Sequence, residues 1–227
     1  MGELDAAVVV DFPLRGEWLA QNTPATRIPS HGTDLLGQRY AFDLLRVDER
    51  PGVNVHPGGR LRSMLFGVRS RDCYGWGQAV HAVFDGKVET AVDGVAERGW
   101  IHPVRELAGV LWTALTFDPA KGFASVAGNH VIIRGGDLFA AYAHLVPGSL
   151  AVHAGQSVRV GDVIGRVGHS GNSTAPHLHF QLMDGPDPLT AAGVPCSFRA
   201  YEVLRDGEWR YVTESIPTST ELIRWAA

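Results

Sequence analysis

The sequence predicts an all-β fold: an antiparallel β-sandwich of short strands with one inserted helix and loops. Three observations predict it. The chain has 27 glycines in 227 residues, which suits a protein with many tight turns. Short apolar runs recur along the chain, and turn pairs such as Asp85-Gly86, Gly135-Gly136 and Asp206-Gly207 separate several of them. Helical spacing of apolar residues occurs within residues 93–128.

The elements follow in chain order from these patterns. Strands are predicted at 7–14 and 39–45, with a polar approach at 15–32 between them. Residues 46–71 have a loop-like composition. Hairpins are predicted at 77–92, 129–145 and 201–212, and short strands joined by tight turns at 152–168.

The insertion at about 93–128 is predicted to contain one amphipathic helix lying on the sheet. Pro103 stands where such a helix can begin. The residues with helical spacing are Val104, Leu107, Val110, Leu111, Ala114 and Leu115.

Composition excludes several classes of protein. The net charge of -4 and the isoelectric point of about 6.2 argue against nucleic-acid binding, which usually requires a basic stripe. The N-terminal segment has acidic residues where a signal peptide needs positive ones, and we expect no transmembrane segment in this chain. Cys73 and Cys196 can be two buried thiols or one disulfide. The oligomeric state is unknown.

The stretch GHSGNSTAPHLHFQ at 168–181 contains the strongest site pattern. In a strand, His177 and His179 project from one face while Leu178 and Phe180 point into the core. Two imidazoles on one face form a candidate metal or proton-transfer site. The alternative is an edge strand with two unrelated histidines, because short motifs have high false-positive rates.

Asp43 is a lone carboxylate in an otherwise apolar strand. Such a residue needs a cation or backbone donors, since an unpaired buried carboxylate is costly. Its alternative role is to cap a turn at the strand end. On a later predicted strand, Tyr142 and His144 fall on one face.

The candidate site residues are therefore His31, Asp43, His144, His177 and His179. Two imidazoles and one carboxylate around zinc leave a fourth position for water, which is typical of a catalytic zinc site. Two further histidines can handle the proton of the nucleophile and the developing oxyanion. This chemistry is metal-assisted amide hydrolysis.

Two segments, GNHVIIRGGDLFAAYAHL and GSLAVHAGQSVRVGDVIGRVGHSGNSTAPHLHFQL, closely resemble zinc endopeptidases of the lysostaphin and LytM type. GQAVHAVFDGKV resembles the strand-turn-strand segment of the same family. The similarity covers about 40–183. We therefore expect a single domain over 1–227, with a metallopeptidase core at 40–183 that includes the insertion 93–128, and a C-terminal extension at 184–227.

The resemblance implies roles for individual residues. It makes His179 and Asp43 zinc ligands, and His177 and His144 catalytic histidines, with His144 interacting with the attacked carbonyl or the water. The family has a further ligand histidine four residues before the aspartate, and this chain has Arg39 there. His31 is the expected substitute, Asp34 would give a two-carboxylate site, and His56 lies on the wrong side of Asp43.

The resemblance implies a zinc-dependent endopeptidase that acts on peptides such as the stem or cross-bridge of peptidoglycan. Two alternatives stay open: a degenerate, noncatalytic binding or regulatory module of the same fold, and a histidine phosphotransfer carrier domain. The family resemblance leads us to expect a cell-envelope or secreted location, although the chain shows no export signal.

Overall fold

A computed structural model describes residues 3–4, 6–48, 54–116 and 118–226. Strands dominate it, which confirms the all-β prediction. The strands are β1 (Val8–Val10), β2 (Glu17–Asn22), β3 (Phe42–Leu45), β4 (Val68–Arg69), β5 (Ala79–His81), β6 (Gly86–Val92), β7 (Trp100–Ile101), β8 (Asn129–Gly135), β9 (Leu138–Leu145), β10 (Ser157–Val158), β11 (Val163–Arg166), β12 (His177–Met183), β13 (Gly193–Val194), β14 (Cys196–Arg205), β15 (Glu208–Ser215) and β16 (Leu222–Trp225). The helices are α1 (Gly59–Phe66), α2 (Pro103–Thr116) and α3 (Ala124–Ala127), with 3-10 turns at Leu35–Gly37, Ser70–Asp72 and Pro119–Lys121.

The strands of the described chain form one large sheet and two small ones. The large sheet has the order β1-β14-β16-β2-β3-β12-β9-β8-β6-β10, with β13 paired to β12 and β15 paired to β14. Its pairings are antiparallel except for β1 with β14, which are parallel. The segments before β3 and after β13 thus supply one end of the sheet, and β3, β12 and β9 lie in its middle.

One apolar core joins the large sheet to the small β5-β11 sheet. Tyr142 and Phe180 from the middle strands share this core with Val80 of β5 and Ile164 of β11, and all four are almost fully buried. Since alternate residues of β12 and β9 enter this core, the residues between them point to the other face of the sheet. That other face carries the candidate site.

Two of the three predicted hairpins occur, and one does not. β8 pairs with β9, and β14 pairs with β15 around Asp206-Gly207. The hairpin predicted at 77–92 is wrong, because β5 pairs with β11 and β6 pairs with β8 and β10. Ala82 N donates to Asp162 O and Gly161 N donates to Ala82 O. The residue after β5 thus pairs with the segment before β11 rather than with β6.

The predicted helix at 103 exists, but the part of its apolar stripe that the structure describes is exposed rather than packed on the sheet. Of the α2 side chains that the structure describes, Glu106 is buried, while Leu107 and Leu111 are 57% and 56% exposed. Helix α2 contacts α1, which lies in the segment predicted as a loop. Strand β2 was also missed, since its sequence lies within the polar approach at 15–32.

Two further features of the structure concern the cysteines and the lengths of the helices. Cys73 and Cys196 are free and buried, and burial raises the pKa of the Cys73 thiol to about 12. Within the described residues, no helix is both long enough and apolar enough to span a bilayer.

Candidate metal centre

Asp43 lies at the centre of the candidate site because β3 lies between β2 and β12. Cross-strand register places His179 of β12 directly opposite Asp43, and Asn22 of β2 opposes it on the other side. The carboxylate is nearly buried, at 8% exposure, and Oδ2 accepts a hydrogen bond of 2.6 Å from Asn22 Nδ2. His179 Nδ1 lies 3.0 Å from Asp43 Oδ1.

A closed loop brings His31 to the same carboxylate. Ser30 N donates to Arg39 O at 2.9 Å, so residues 30–39 form a loop that closes just before β3. Within the loop, the Leu35–Gly37 turn reverses the chain, with Leu36 and Gly37 both at positive φ. As a result His31 Nε2 lies 2.9 Å from Asp43 Oδ2. The ligand atoms of His31, Asp43 and His179 all lie within 4.8 Å of one another.

The other sequence candidates for this position lie elsewhere. Arg39 Nη1 contacts Asp34 Oδ1 at 2.6 Å, and the Asp34 side chain is 64% exposed. Arg39 also pairs with Glu3, so its guanidinium lies away from the Asp43 cluster. His56 Nδ1 accepts a hydrogen bond from Gly58 N in its own loop. The structure therefore brings His31, and not Asp34 or His56, to Asp43 and His179.

Outer hydrogen bonds fix the tautomers of the two histidines in this cluster. Gln181 Nε2 donates to Leu36 O, which leaves Gln181 Oε1 to accept from His179 Nε2–H at 2.9 Å. His179 Nδ1 is then a lone pair. In the same way, Ser30 Oγ–H donates to Gln38 O and accepts from His31 Nδ1–H, which leaves His31 Nε2 as a lone pair.

These tautomers direct two imidazole lone pairs at a carboxylate. The lone pairs of the two nitrogens and of the carboxylate oxygens repel one another unless a cation lies between them. Zinc takes nitrogen and carboxylate oxygen as ligands, and histidine ligands usually donate their other ring N–H to an oriented acceptor. The donor set formed by His31, Asp43 and His179 therefore fits a zinc ion.

The charge state of Asp43 agrees with this environment. Burial by itself raises the pKa of the carboxyl, but the positive charges that His31 and His177 carry when protonated outweigh it. The pKa of Asp43 is consequently held well below its ordinary value. Asp43 is thus an anion within an almost dry site.

His177 and His144 lie beside the cluster. His177 shares a face with His179, as predicted, and its Nε2 is 3.4 Å from Asp43 Oδ1. The rings of His144 and His177 have centroids 4.7 Å apart. Each ring donates Nδ1–H to a backbone carbonyl, His177 to Ala175 O at 2.7 Å and His144 to Ser170 O at 2.9 Å. In both neutral rings Nε2 is therefore an acceptor.

The prediction that Tyr142 and His144 share a face of β9 is wrong. Tyr142 is fully buried in the core, where its hydroxyl oxygen accepts from Val83 N at 2.9 Å. Strand alternation would direct His144 to the same core. Its φ of 64° breaks the alternation and brings its ring beside His177. Non-glycine residues seldom adopt this conformation, and such strain concentrates at functional sites.

The two neighbouring histidines differ in basicity. Burial lowers the pKa of His144 well below its ordinary value, and the charges of His177 and His179 lower it further. Burial also lowers the pKa of His177, but the charge of Asp43 and a hydrogen bond to it outweigh burial, so that the pKa is raised. His144 is thus the more readily neutral of the two rings.

The cluster opens into a groove of about 510 Å³. A volume of this size is typical of a ligand-binding cleft. One wall comes from the loop that carries His31, and the opposite wall includes residues of the insertion. Besides the cluster, the lining includes Thr33, Leu35, Thr113, Phe123, Val126, Asn172 and Thr174.

Sequence reasoning missed three residues that hold the site together. Asn22 was missed because β2 was not recognised as a strand. Gln181 continues the alternation of His177 and His179, and that pattern was sufficient to place it on the same face. Ser30 had no comparable pattern, because its role depends on how the loop closes.

Comparison with known proteins finds a family match over part of the chain. Residues 118–191 match the family model described as Peptidase family M23. These residues are an M23 peptidase segment. The M23 segment contains His144, His177 and His179, whereas His31 and Asp43 precede it. The resemblance to lysostaphin- and LytM-type endopeptidases is thereby confirmed.

Two curated relatives are similar to this chain. DD-carboxypeptidase/endopeptidase Mpg of Neisseria meningitidis is 34% identical over 152 residues, which cover 65% of this chain and 30% of the relative. Peptidoglycan DD-endopeptidase ShyA of Vibrio cholerae is 39% identical over 72 residues, which cover 30% of this chain and 16% of the relative. The matches thus span less than a third of each relative.

Among solved structures, the catalytic domain of lysostaphin from Staphylococcus simulans aligns with 79% of this chain and 88% of its own. The identity is 20% and the TM-score 0.39.

Proposed function

We propose that this chain is a zinc-dependent endopeptidase that hydrolyses amide bonds in peptidoglycan-type peptides. One observation carries the proposal: the lone pairs of His31 and His179 face the Asp43 carboxylate, with two further histidines beside them. The M23 match supports the peptidase class, and the names of the relatives support the substrate class.

In this proposal His31 Nε2, an oxygen of Asp43 and His179 Nδ1 hold the metal. Bound zinc supplies a Lewis acid that polarises the scissile carbonyl and makes water a nucleophile near neutral pH. Asn22 and Gln181 keep Asp43 and His179 in their orientations through the contacts described above. The burial of Asp43 and His179 keeps bulk water from competing for their polar atoms.

His177 moves the proton. Its Nδ1–H is held by Ala175 O, so its Nε2 takes the proton of the attacking water and later delivers it to the leaving amine. His144 is held through Nδ1 by Ser170 O, and its neutral ring presents Nε2 as an acceptor. This favours contact of His144 with the water rather than with the attacked carbonyl. As an imidazolium, His177 then offers a donor to the developing oxyanion.

The substrate is proposed to be an extended peptide with D-amino acids, such as the cross-linked stem peptides of peptidoglycan. This follows the names of the relatives, which are DD-endopeptidases. The groove is open enough for an extended chain, and part of its wall comes from small or apolar residues such as Val126 and Ala127. Glycine-rich cross-bridges are the competing substrate. By this proposal the enzyme works in the cell envelope or outside the cell.

The test combines metal content with cleavage of defined substrates. Protein purified without added metal should contain about one zinc per chain by elemental analysis. It should convert cross-linked muropeptide dimers to monomers faster than it cuts pentaglycine, and a chelator should abolish cleavage until zinc is restored. His177→Ala should retain zinc while its kcat falls by about 10²–10⁴-fold.

Other results would favour the alternatives. Zinc binding without cleavage of either substrate would indicate the noncatalytic module. Failure to take up zinc on titration, together with transfer of phosphate from a phosphocarrier donor to a histidine, would indicate the phosphotransfer domain. The contacts of Asp43 with three histidines argue against the phosphotransfer domain, since a phosphotransfer histidine needs no adjacent metal-binding carboxylate.

A further inference from the structure

The loop at 168–176 orients both proposed catalytic histidines through its backbone. Ser170 O accepts from His144 Nδ1 at 2.9 Å, and Ala175 O accepts from His177 Nδ1 at 2.7 Å. Movement of either carbonyl would therefore turn the ring that bonds to it. The orientation of the two rings depends on what holds this loop.

One guanidinium contacts the loop between these two carbonyls. Arg98 Nη1 donates to Gly171 O at 2.9 Å, and Arg98 Nη2 donates to Ser173 O at 2.8 Å. The planar fork of arginine fixes the separation of the two carbonyls that it bridges, which a lysine could not do. Ser173 Oγ lies in addition 3.2 Å from His177 Nδ1.

Arg98 is in turn held by Glu106 of helix α2. Arg98 Nε donates to Glu106 Oε2 at 2.8 Å, and the Glu106 side chain is 3% exposed. Arg105 also pairs with Glu106, through Oε1, but none of its described bonds reaches the loop. A buried carboxylate with cationic partners keeps a well-defined position, because leaving it unpaired is costly.

Other contacts from the insertion reach the same loop. Glu97 Oε2 accepts from His169 N at 3.0 Å, and Glu97 forms an isolated antiparallel bridge with Ser170. Val126 O accepts from Asn172 N at 2.7 Å. The insertion at 93–128 thus holds the loop through residues that lie before and after helix α2 in the sequence.

We propose that Arg98, held by Glu106, is a positioning residue that sets the orientation of His144 and His177 by fixing the carbonyls of the 168–176 loop. This inference rests on the proposed peptidase function for its catalytic consequence. It gives the insertion a role in turnover rather than in stability alone.

The test compares Arg98→Met with Arg105→Met as the matched control. The control removes the other arginine on Glu106 and leaves every bond between Arg98 and the loop in place. With cross-linked muropeptide dimers as substrate, Arg98→Met should lower kcat by about ten- to a hundredfold, since displacements of about 1 Å cost rates of this order. KM and zinc content should stay within twofold of wild type, and Arg105→Met should match wild type.

Hydrogen exchange provides a readout that needs no turnover. Amides of the 168–176 peptide should exchange faster in Arg98→Met than in Arg105→Met, while amides of β12 and β9 exchange as in wild type. Arg98→Lys should be intermediate in both assays, because one ammonium group cannot bridge two carbonyls and Glu106 together. If Arg98→Met does not fold, Arg98→Lys provides the same two measurements.

Opposite results would overturn the inference. If Arg98→Met and Arg98→Lys both keep kcat within twofold of Arg105→Met and leave exchange of the loop unchanged, Arg98 does not position the histidines. An equal fall in kcat in Arg105→Met would assign the effect to general stability. An inactive wild-type protein would overturn the proposed function and the catalytic role of Arg98, while exchange would still decide whether Arg98 orders the loop.

Discussion

The candidate metal centre has two sides that are built in different ways. On one side, Asp43 and His179 are direct cross-strand neighbours in the middle of the large sheet. On the other side, His31 lies on a loop and reaches Asp43 because residues 30–39 close on themselves. On the strand side, backbone hydrogen bonds between β3 and β12 fix the geometry. The loop side depends on a few specific contacts.

A single amide connects the two sides. Gln181 of β12 accepts from His179 on the strand side and donates to Leu36 O on the loop side. Ser30 holds His31 through the same kind of contact within the loop. The comparison teaches that outer hydrogen bonds orient the histidine on the loop, whereas strand register positions the histidine on β12.

The largest expected effect comes from breaking the loop side. His31→Ala removes one of the three proposed ligands, so we expect the zinc content to fall far below one per chain. Because loss of even an outer partner costs about 10–100-fold in metal affinity or activity, loss of this ligand should lower activity by more than about 100-fold. Elemental analysis and muropeptide cleavage measure both quantities.

Asp34→Ala is the matched control for this change. Asp34 lies in the same loop, but its carboxylate pairs with Arg39 at the surface. We expect Asp34→Ala to keep its zinc and its activity. Retention of zinc in His31→Ala together with its loss in Asp34→Ala would reverse the assignment and support the two-carboxylate site.

A smaller effect is expected from the residue that joins the two sides. Gln181→Ala leaves all three ligands in place but frees the Nε2–H of His179, so zinc affinity should fall by about 10–100-fold in competition with a chelator. Gln181→Glu keeps an acceptor for His179 and should lose less. Gln78→Ala, which removes a side-chain bond to Tyr74 O away from the site, should bind zinc as wild type does. An unchanged affinity in Gln181→Ala would show that the two sides are held independently.

The same contrast explains what could be predicted from the sequence. Strand alternation correctly placed His177 and His179 on one face and Leu178 in the core, because a period of two is visible in the residues themselves. Asp43 was found because a charge in an apolar strand is conspicuous. His31 was selected as an upstream histidine that a loop could return to the site, but the bonds that close this loop, such as Ser30 N to Arg39 O, leave no pattern in the sequence.

The errors have physical causes of the same kind. Helical spacing identified α2, but periodicity does not reveal what a helix packs against, and Leu107 remains exposed. The turn pair Asp85-Gly86 is typical of hairpins, yet β5 pairs with β11 rather than with β6. The contact of Arg98 with the 168–176 loop spans more than 70 residues of sequence and could be seen only in the fold.

The smallest effect on activity is expected on the core face of β9, next to the site. Tyr142 was predicted to share a face with His144, but the φ of His144 separates the two side chains and leaves Tyr142 in the core. Tyr142→Phe removes the acceptor of the Val83 N–H and should destabilise the fold by about 1–3 kcal/mol. For a domain of this size, thermal unfolding should shift by about 2–4 °C per kcal/mol. Zinc content and kcat should stay within about twofold of wild type, because the ring lies on the side of the sheet away from Asp43. A fall in kcat without a change in melting temperature would instead indicate that Tyr142, as well as His144, contributes to catalysis.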